Sequence, residues 1–186
     1  MTTPFAIPEK AAEERMPGVS SLDETAETIR DDALALVKQR LHIIQRDANL
    51  ESLFRHPDFF DRFKDGLAAG VAKALAANDQ RVLVIYTYDP LANPDKESGE
   101  EMPLDATVHL LVLVATPSAA LSAFVASLDR ALTASLKSLP SPLFVQRESV
   151  LDVNLITEKD VRLGLGYAAL LSSLFVPPIK VWAREA

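Results

Sequence analysis

Two runs of large and β-branched apolar residues constrain this chain more than anything else in it: Arg81-Val-Leu-Val-Ile-Tyr-Thr-Tyr88 and Ala106 to Ala115. Neither alternates apolar with polar. Strands of that kind are buried on both faces and need helices packed over the sheet. The chain supplies such helices. Ala26, Ile29, Ala33, Val37, Leu41 and Ile44 recur at spacings of three and four, as do Phe60, Phe63, Leu67, Val71 and Ala74. Leu121, Phe124, Leu128, Leu132, Leu136 and Leu139 form a third stripe. Ser21 with Glu24 is a capping box for the first helix, which runs toward Asn49. Pro57 starts the second helix, Asn78-Asp79 ends it, and Thr116-Pro117 opens the third.

Beyond Pro140 and Pro142, a third strand is expected over roughly Leu143 to Ile156, broken near Arg147-Glu148. Thr157 caps a short helix with Asp160 at the capping-box position. Tyr167 to Phe175 reads as another short helix. Ile179 to Trp182 reads as an edge strand because Pro177-Pro178 precede it. The predicted fold is α/β (α+β): a mixed sheet of about four strands packed by helices, after two long helices and an extended N-terminal arm. The arm covers 1–20 and a single domain covers 21–186, with a helical lead-in over 21–78 and a sheet-containing core over 79–186.

Within the third strand Asp152 and Asn154 are two apart, so their side chains share a face. A carboxylate and an amide aimed together hold a metal or a hydroxyl-rich ligand, or anchor a neighbouring segment. For Asp152 the anchoring partners within reach of the sequence are Arg147, Arg162 or a helix terminus. His109 shares a strand face with Thr107, Leu111 and Leu113, where a lone histidine reads as a core or subsurface residue. The loop from Asp89 to Asp105 carries Asp89, Asp95, Glu97, Glu100, Glu101 and Asp105 against Lys96 alone. It matches no EF-hand spacing and reads as a solvated loop or a dock for a basic partner. Gly164-Leu-Gly166 lacks the rest of a phosphate loop and reads as a bend. No Gly-x-Ser-x-Gly elbow occurs. Phe5 and Ile7 in the arm, and Trp182 near the end, are candidate interface residues.

The net charge of −7 disfavours direct nucleic-acid binding, which needs clustered Lys and Arg. The chain has no Cys, which removes thiolate chemistry and Cys-ligated zinc. His42, His56 and His109 show no metal-ligand spacing. No apolar leader is visible, and the stretch Gly166 to Phe175 is too short to span a bilayer. A cytoplasmic protein without a membrane span is the expectation.

From residue 57 onward the element order resembles the minimal nucleotidyltransferase fold of the polymerase-β-like superfamily. Val108-His-Leu-Leu-Val-Leu-Val114 resembles its second strand, and Leu151-Asp-Val-Asn-Leu-Ile-Thr-Glu-Lys-Asp160 its third strand and following turn. The resemblance implies magnesium-dependent nucleotidyl transfer, with Asp152 as a metal ligand and Asp105 or Asp89 as a second. The chain departs from the pattern: Thr87-Tyr88-Asp89 stands where Gly-Ser is expected, and Thr107-Val108-His109 where Asp-x-Asp is expected. Those departures imply a member that has lost transfer activity. The leading expectation is therefore a non-catalytic interaction or regulatory domain without a cofactor, docking a protein partner or a copy of itself through the arm and the two leading helices. The alternative is a divergent magnesium-dependent nucleotidyltransferase or nucleotide sensor.

Overall fold

The computed structural model describes residues 21–41, 50–89, 106–174 and 177–185. The arm, with Phe5 and Ile7, and the acidic loop beyond Asp89, with Asp105, lie outside the described residues. The fold class is α/β, with a four-stranded mixed sheet. Helices α1 (Leu22–Arg40), α2 (Leu50–Phe54) and α3 (Phe59–Asn78) come first, followed by strands β1 (Val82–Thr87) and β2 (Val108–Val114). Then come α4 (Ala119–Lys137), α5 (Pro142–Val145), β3 (Leu151–Thr157), α6 (Glu158–Leu163), a 3₁₀ helix (Gly166–Ser172) and β4 (Ile179–Ala183). The spatial order is β3-β2-β1-β4. β1 runs antiparallel to both β2 and β4, while β2 and β3 are parallel and joined through α4.

The capping boxes form as the sequence dictates. Ser21 and Glu24 bond reciprocally at the start of α1, and Thr157 and Asp160 at the start of α6. Other boundaries differ from expectation. α1 closes at Arg40, with Leu41 as its cap, so Ile44 and Asn49 fall outside the described residues. α3 begins at Phe59, after a turn that follows α2. α4 begins at Ala119, not at Pro117, because the Ser118 hydroxyl accepts the Leu121 N–H at 3.3 Å. The stretch after Ser141 is not a strand. Pro142 fits the first helical position and seeds the short α5 instead. β3 starts only at Leu151, where Asp129 Oδ1 of α4 accepts the N–H groups of Val150 and Leu151, each at 2.9 Å. The segment after α6 closes into a 3₁₀ helix, with Gly164 before it and Gly166 at its first position, both at positive φ.

One face of the sheet carries the main core. Val108, Leu110, Val112 and Val114 of β2, with Val82 and Ile85 of β1 and Leu151 of β3, meet the apolar stripes of α1, α3 and α4. The two leading helices spend those stripes inside the fold. They approach so closely that a Cβ on Gly66 would lie 2.7 Å from the Ala33 Cα. Arg30 of α1 then reaches the carboxyl end of α4, donating to the Ser135 carbonyl and the Ser138 hydroxyl. A cation there complements the helix dipole. α4 is long and apolar enough by length and composition to cross a membrane; here its Leu121, Leu128, Leu132 and Leu136 lie in the core.

The opposite face corrects the expectation of two fully covered faces. Among the described residues α6 and the 3₁₀ helix alone cover it, burying Leu111, Ile156 and Ala168 with partial burial of Tyr86, Tyr88 and Leu113. β1 is half-buried on this side.

Candidate functional site: a polar row across the thinly covered face

The strand period of two sends His109 and Leu111 of β2, and Asp152, Asn154 and Ile156 of β3, to the thinly covered face. Parallel register sets His109 directly beside Asp152 and Leu111 beside Asn154. Tyr88, just past the end of β1, donates its backbone N–H to the His109 carbonyl and is held next to that pair. Tyr88, His109 and Asp152 thus form a row across three adjacent strands.

The row is joined by hydrogen bonds among its own side chains. Asp152 Oδ2 accepts from the Tyr88 hydroxyl at 3.1 Å and pairs with His109 Nδ1 at 2.9 Å. Asn154 Nδ2 donates to Asp152 Oδ1 at 3.2 Å and to the Tyr88 hydroxyl oxygen at 3.1 Å. A carboxylate oxygen accepts in this pair, so His109 Nδ1 is its donor. His109 is 15% exposed and Asp152 42%. The rings of Tyr88 and His109 lie 5.4 Å apart, and Tyr167 of the 3₁₀ helix stands 6.1 Å from Tyr88.

Burial, and after it the Asp152 charge, pushes the Tyr88 hydroxyl well above the usual tyrosine range. The phenol therefore stays a donor across the physiological range. A tyrosine pKa raised by folding contributes stability that is fully present below the unfolded value near pH 10 and is lost as pH rises through the folded value. Tyr88→Phe removes that contribution. The expected result is a melting temperature that falls less steeply above about pH 10 than in the parent chain, read from thermal melts between neutral and strongly alkaline pH. Identical alkaline limbs would refute it.

Sequence reasoning named Asp152, Asn154 and His109 separately; the structure brings them together. It missed Tyr88 as the fourth member. The signal was present in Tyr88 standing at the end of a strand opposite His109, but only the antiparallel pairing of β1 and β2 makes that visible. The proposed anchors of Asp152 are replaced. Arg147 donates to the Thr107 hydroxyl instead, and Tyr88, His109 and Asn154 hold the carboxylate. Asp89 lines a cleft of about 220 Å³ between the start of α3, at Asp61 and Lys64, and the strand ends at Tyr88, Thr107 and His109. Trp182 packs partly buried against the main core, with the Arg184 guanidinium 5.4 Å from its ring centre.

As a donor set the row offers one carboxylate, one imidazole, one phenol and one amide. Magnesium takes octahedral oxygen ligands, mostly carboxylates, phosphates and waters. No group of three or more His, Asp or Glu side chains stands together among the described residues. The row does not fit that ion. Neither the models of known protein families, nor the curated proteins, nor the solved structures contain a match to this chain.

Proposed function

We propose that this chain is a non-catalytic protein-interaction domain that assembles with a second copy of itself through the thinly covered face of the sheet. The observation that carries the reading is the apolar surface of α6 and the 3₁₀ segment. Leu163 is 59% exposed, Leu165 and Tyr167 are each 50%, and Leu174 is 92%. Apolar side chains gathered in one surface segment mark interaction sites more often than scattered ones do. Glu158, Lys159 and Arg162 of α6 flank the segment with both signs of charge, so two copies can meet without facing a single-sign field. Mean hydropathy slightly above zero agrees with a chain that buries more surface than a monomer does. The side chains of the polar row beside this surface hold one another by hydrogen bonds, which suits a structural anchor better than a reacting group.

Light scattering after gel filtration at roughly 100 μM, a concentration suited to affinities in the micromolar range, tests the reading. The parent chain is expected to run as a dimer. The triple variant Leu163→Ser, Leu165→Ser and Leu174→Ser is expected to run as a monomer, with a melting temperature near that of the parent chain's protomer, because exposed substitutions change stability by only about 0.5 kcal/mol. A monomeric parent chain, or a dimer untouched by the three serines, would overturn it.

A further inference from the structure

The outer edge of β3 carries a second surface. β3 ends the sheet. The Val108 N–H donates to the Val150 carbonyl, so the strand period turns Asp152, Asn154 and Ile156 toward β2. The backbone groups of Leu151, Val153, Leu155 and Thr157 therefore point outward. The ends of that edge are occupied within the chain. Asp129 takes the Leu151 N–H, the Ser149 hydroxyl donates to the Leu151 carbonyl, and Asp160 takes the Thr157 N–H. Among the described residues nothing pairs with the outward N–H and C=O of Val153 and Leu155.

An open edge is ordinarily blunted by proline, lysine or a bulge. The sequence of β3, Leu-Asp-Val-Asn-Leu-Ile-Thr, contains no proline or lysine, and its pairing with β2 runs in unbroken register. Beside the edge lies a groove of about 270 Å³ between β3 and α4. Val125 and Ala126 of α4 and Val153 and Leu155 of β3 supply its apolar wall. Its acidic side chain is Asp129 of α4; Asp152 lines it with backbone, its carboxylate lying on the opposite face of the sheet, and no Lys or Arg lines it.

We infer that this edge binds an extended segment of a partner protein as a fifth strand, with apolar residues at alternate positions facing α4 and a Lys or Arg reaching Asp129. Main-chain bonds to Val153 and Leu155 give the affinity, and the apolar wall with Asp129 gives the specificity. Charge selects the occupant. A second copy would bring its own Asp129 to the same groove in a chain that already carries −7, whereas a basic segment is complementary. The site is separate from the α6 surface, so either assignment can fail alone.

The test is a fluorescence-anisotropy titration of the full chain with labelled decapeptides in which Val and Thr alternate, carrying Lys at one end or the other. Matched peptides carry Glu in place of Lys, or Pro at the two central positions. A Lys peptide is expected to bind about tenfold more tightly than its Glu counterpart, and the Pro peptides not at all. Asp129→Asn keeps the acceptor for the strand start and is expected to erase the Lys preference. Val153→Pro removes an outward N–H that the sheet does not use and is expected to abolish binding. If that variant fails to fold by circular dichroism, Ala126→Arg, at an exposed position of α4 in the groove, serves instead. The triple serine variant of the α6 surface is expected to bind the Lys peptide unchanged. Equal affinity for the Lys, Glu and Pro peptides, saturation by none of them up to about 1 mM, or undiminished binding by the edge variants would overturn the inference. A parent dimer that Val153→Pro makes monomeric, with no peptide binding, would assign the edge to a second copy and overturn it too.

Discussion

Phe63→Ala is expected to cost about 3–5 kcal/mol of folding stability, the range for emptying an aromatic site in a core that cannot collapse around it. Phe63 is 1% exposed. Its ring stacks on Phe59 at 5.3 Å and stands 5.9 Å from Phe144, while Phe59 also meets Phe54 and Phe60 edge-on. Five of the chain's eight Phe residues thus gather where α2, α3 and α5 converge. Removing the one that bridges Phe59 and Phe144 leaves a void with walls on both α3 and α5, so no single side-chain shift fills it. Urea unfolding monitored by circular dichroism measures the loss through the midpoint at constant slope. A loss below about 1 kcal/mol would mean that the cluster repacks freely.

Gly66→Ala is the second large effect, and its sign is the informative part. Alanine has the higher helix propensity by about 1 kcal/mol, so an open site in α3 would gain stability. Here the new methyl would meet the Ala33 Cα at 2.7 Å and its Cβ at 2.9 Å. The obstacle is backbone, which cannot rotate aside. α1 must move off α3, disturbing packing along the shared stripe, and overpacking of this kind costs about 1–3 kcal/mol or more. The net expectation is destabilisation of about 1–2 kcal/mol. Gly70→Ala is the comparison, because there the methyl would press on the Ile29 side chain, at 2.9 Å from its Cγ2, and a side chain can yield. Chemical denaturation of both variants checks the order: Gly66→Ala must be the less stable. The reverse order would show that the two helices are not in backbone contact at Gly66.

Much of this architecture was legible in the residues. The stripes of α1, α3 and α4, the two capping boxes, the bend at Gly164 and the shared face of Asp152 and Asn154 all follow from local periodicity or local hydrogen bonding. What was hidden depends on partners remote in sequence. Nothing local says that Asp129 in α4 determines where β3 begins, so the apolar pattern places the strand's start at Leu143 and the structure at Leu151. Continuous apolar runs also do not distinguish two thick layers from one thick and one thin. Leu111 and Ile156 need cover on the second face, and two short segments supply just that much. The site suffered most: Tyr88 enters only when β1 and β2 pair, and its neighbours were read one at a time.

The polar row also acts on folding fidelity. Two parallel apolar strands offer several near-equivalent alignments, and valine beside leucine discriminates poorly among them. With His109 opposite Asp152, the alignments are no longer equivalent. A slip of β3 by one residue turns Asp152 and Asn154 toward the helices and the core, and drives Val153 and Leu155 out onto the wet face. A carboxylate buried there without partners is costly, and Tyr88 and His109 lose their acceptor at the same moment. The cluster thus serves as a gauge that rejects misaligned sheets during assembly, a task it performs with no ligand bound.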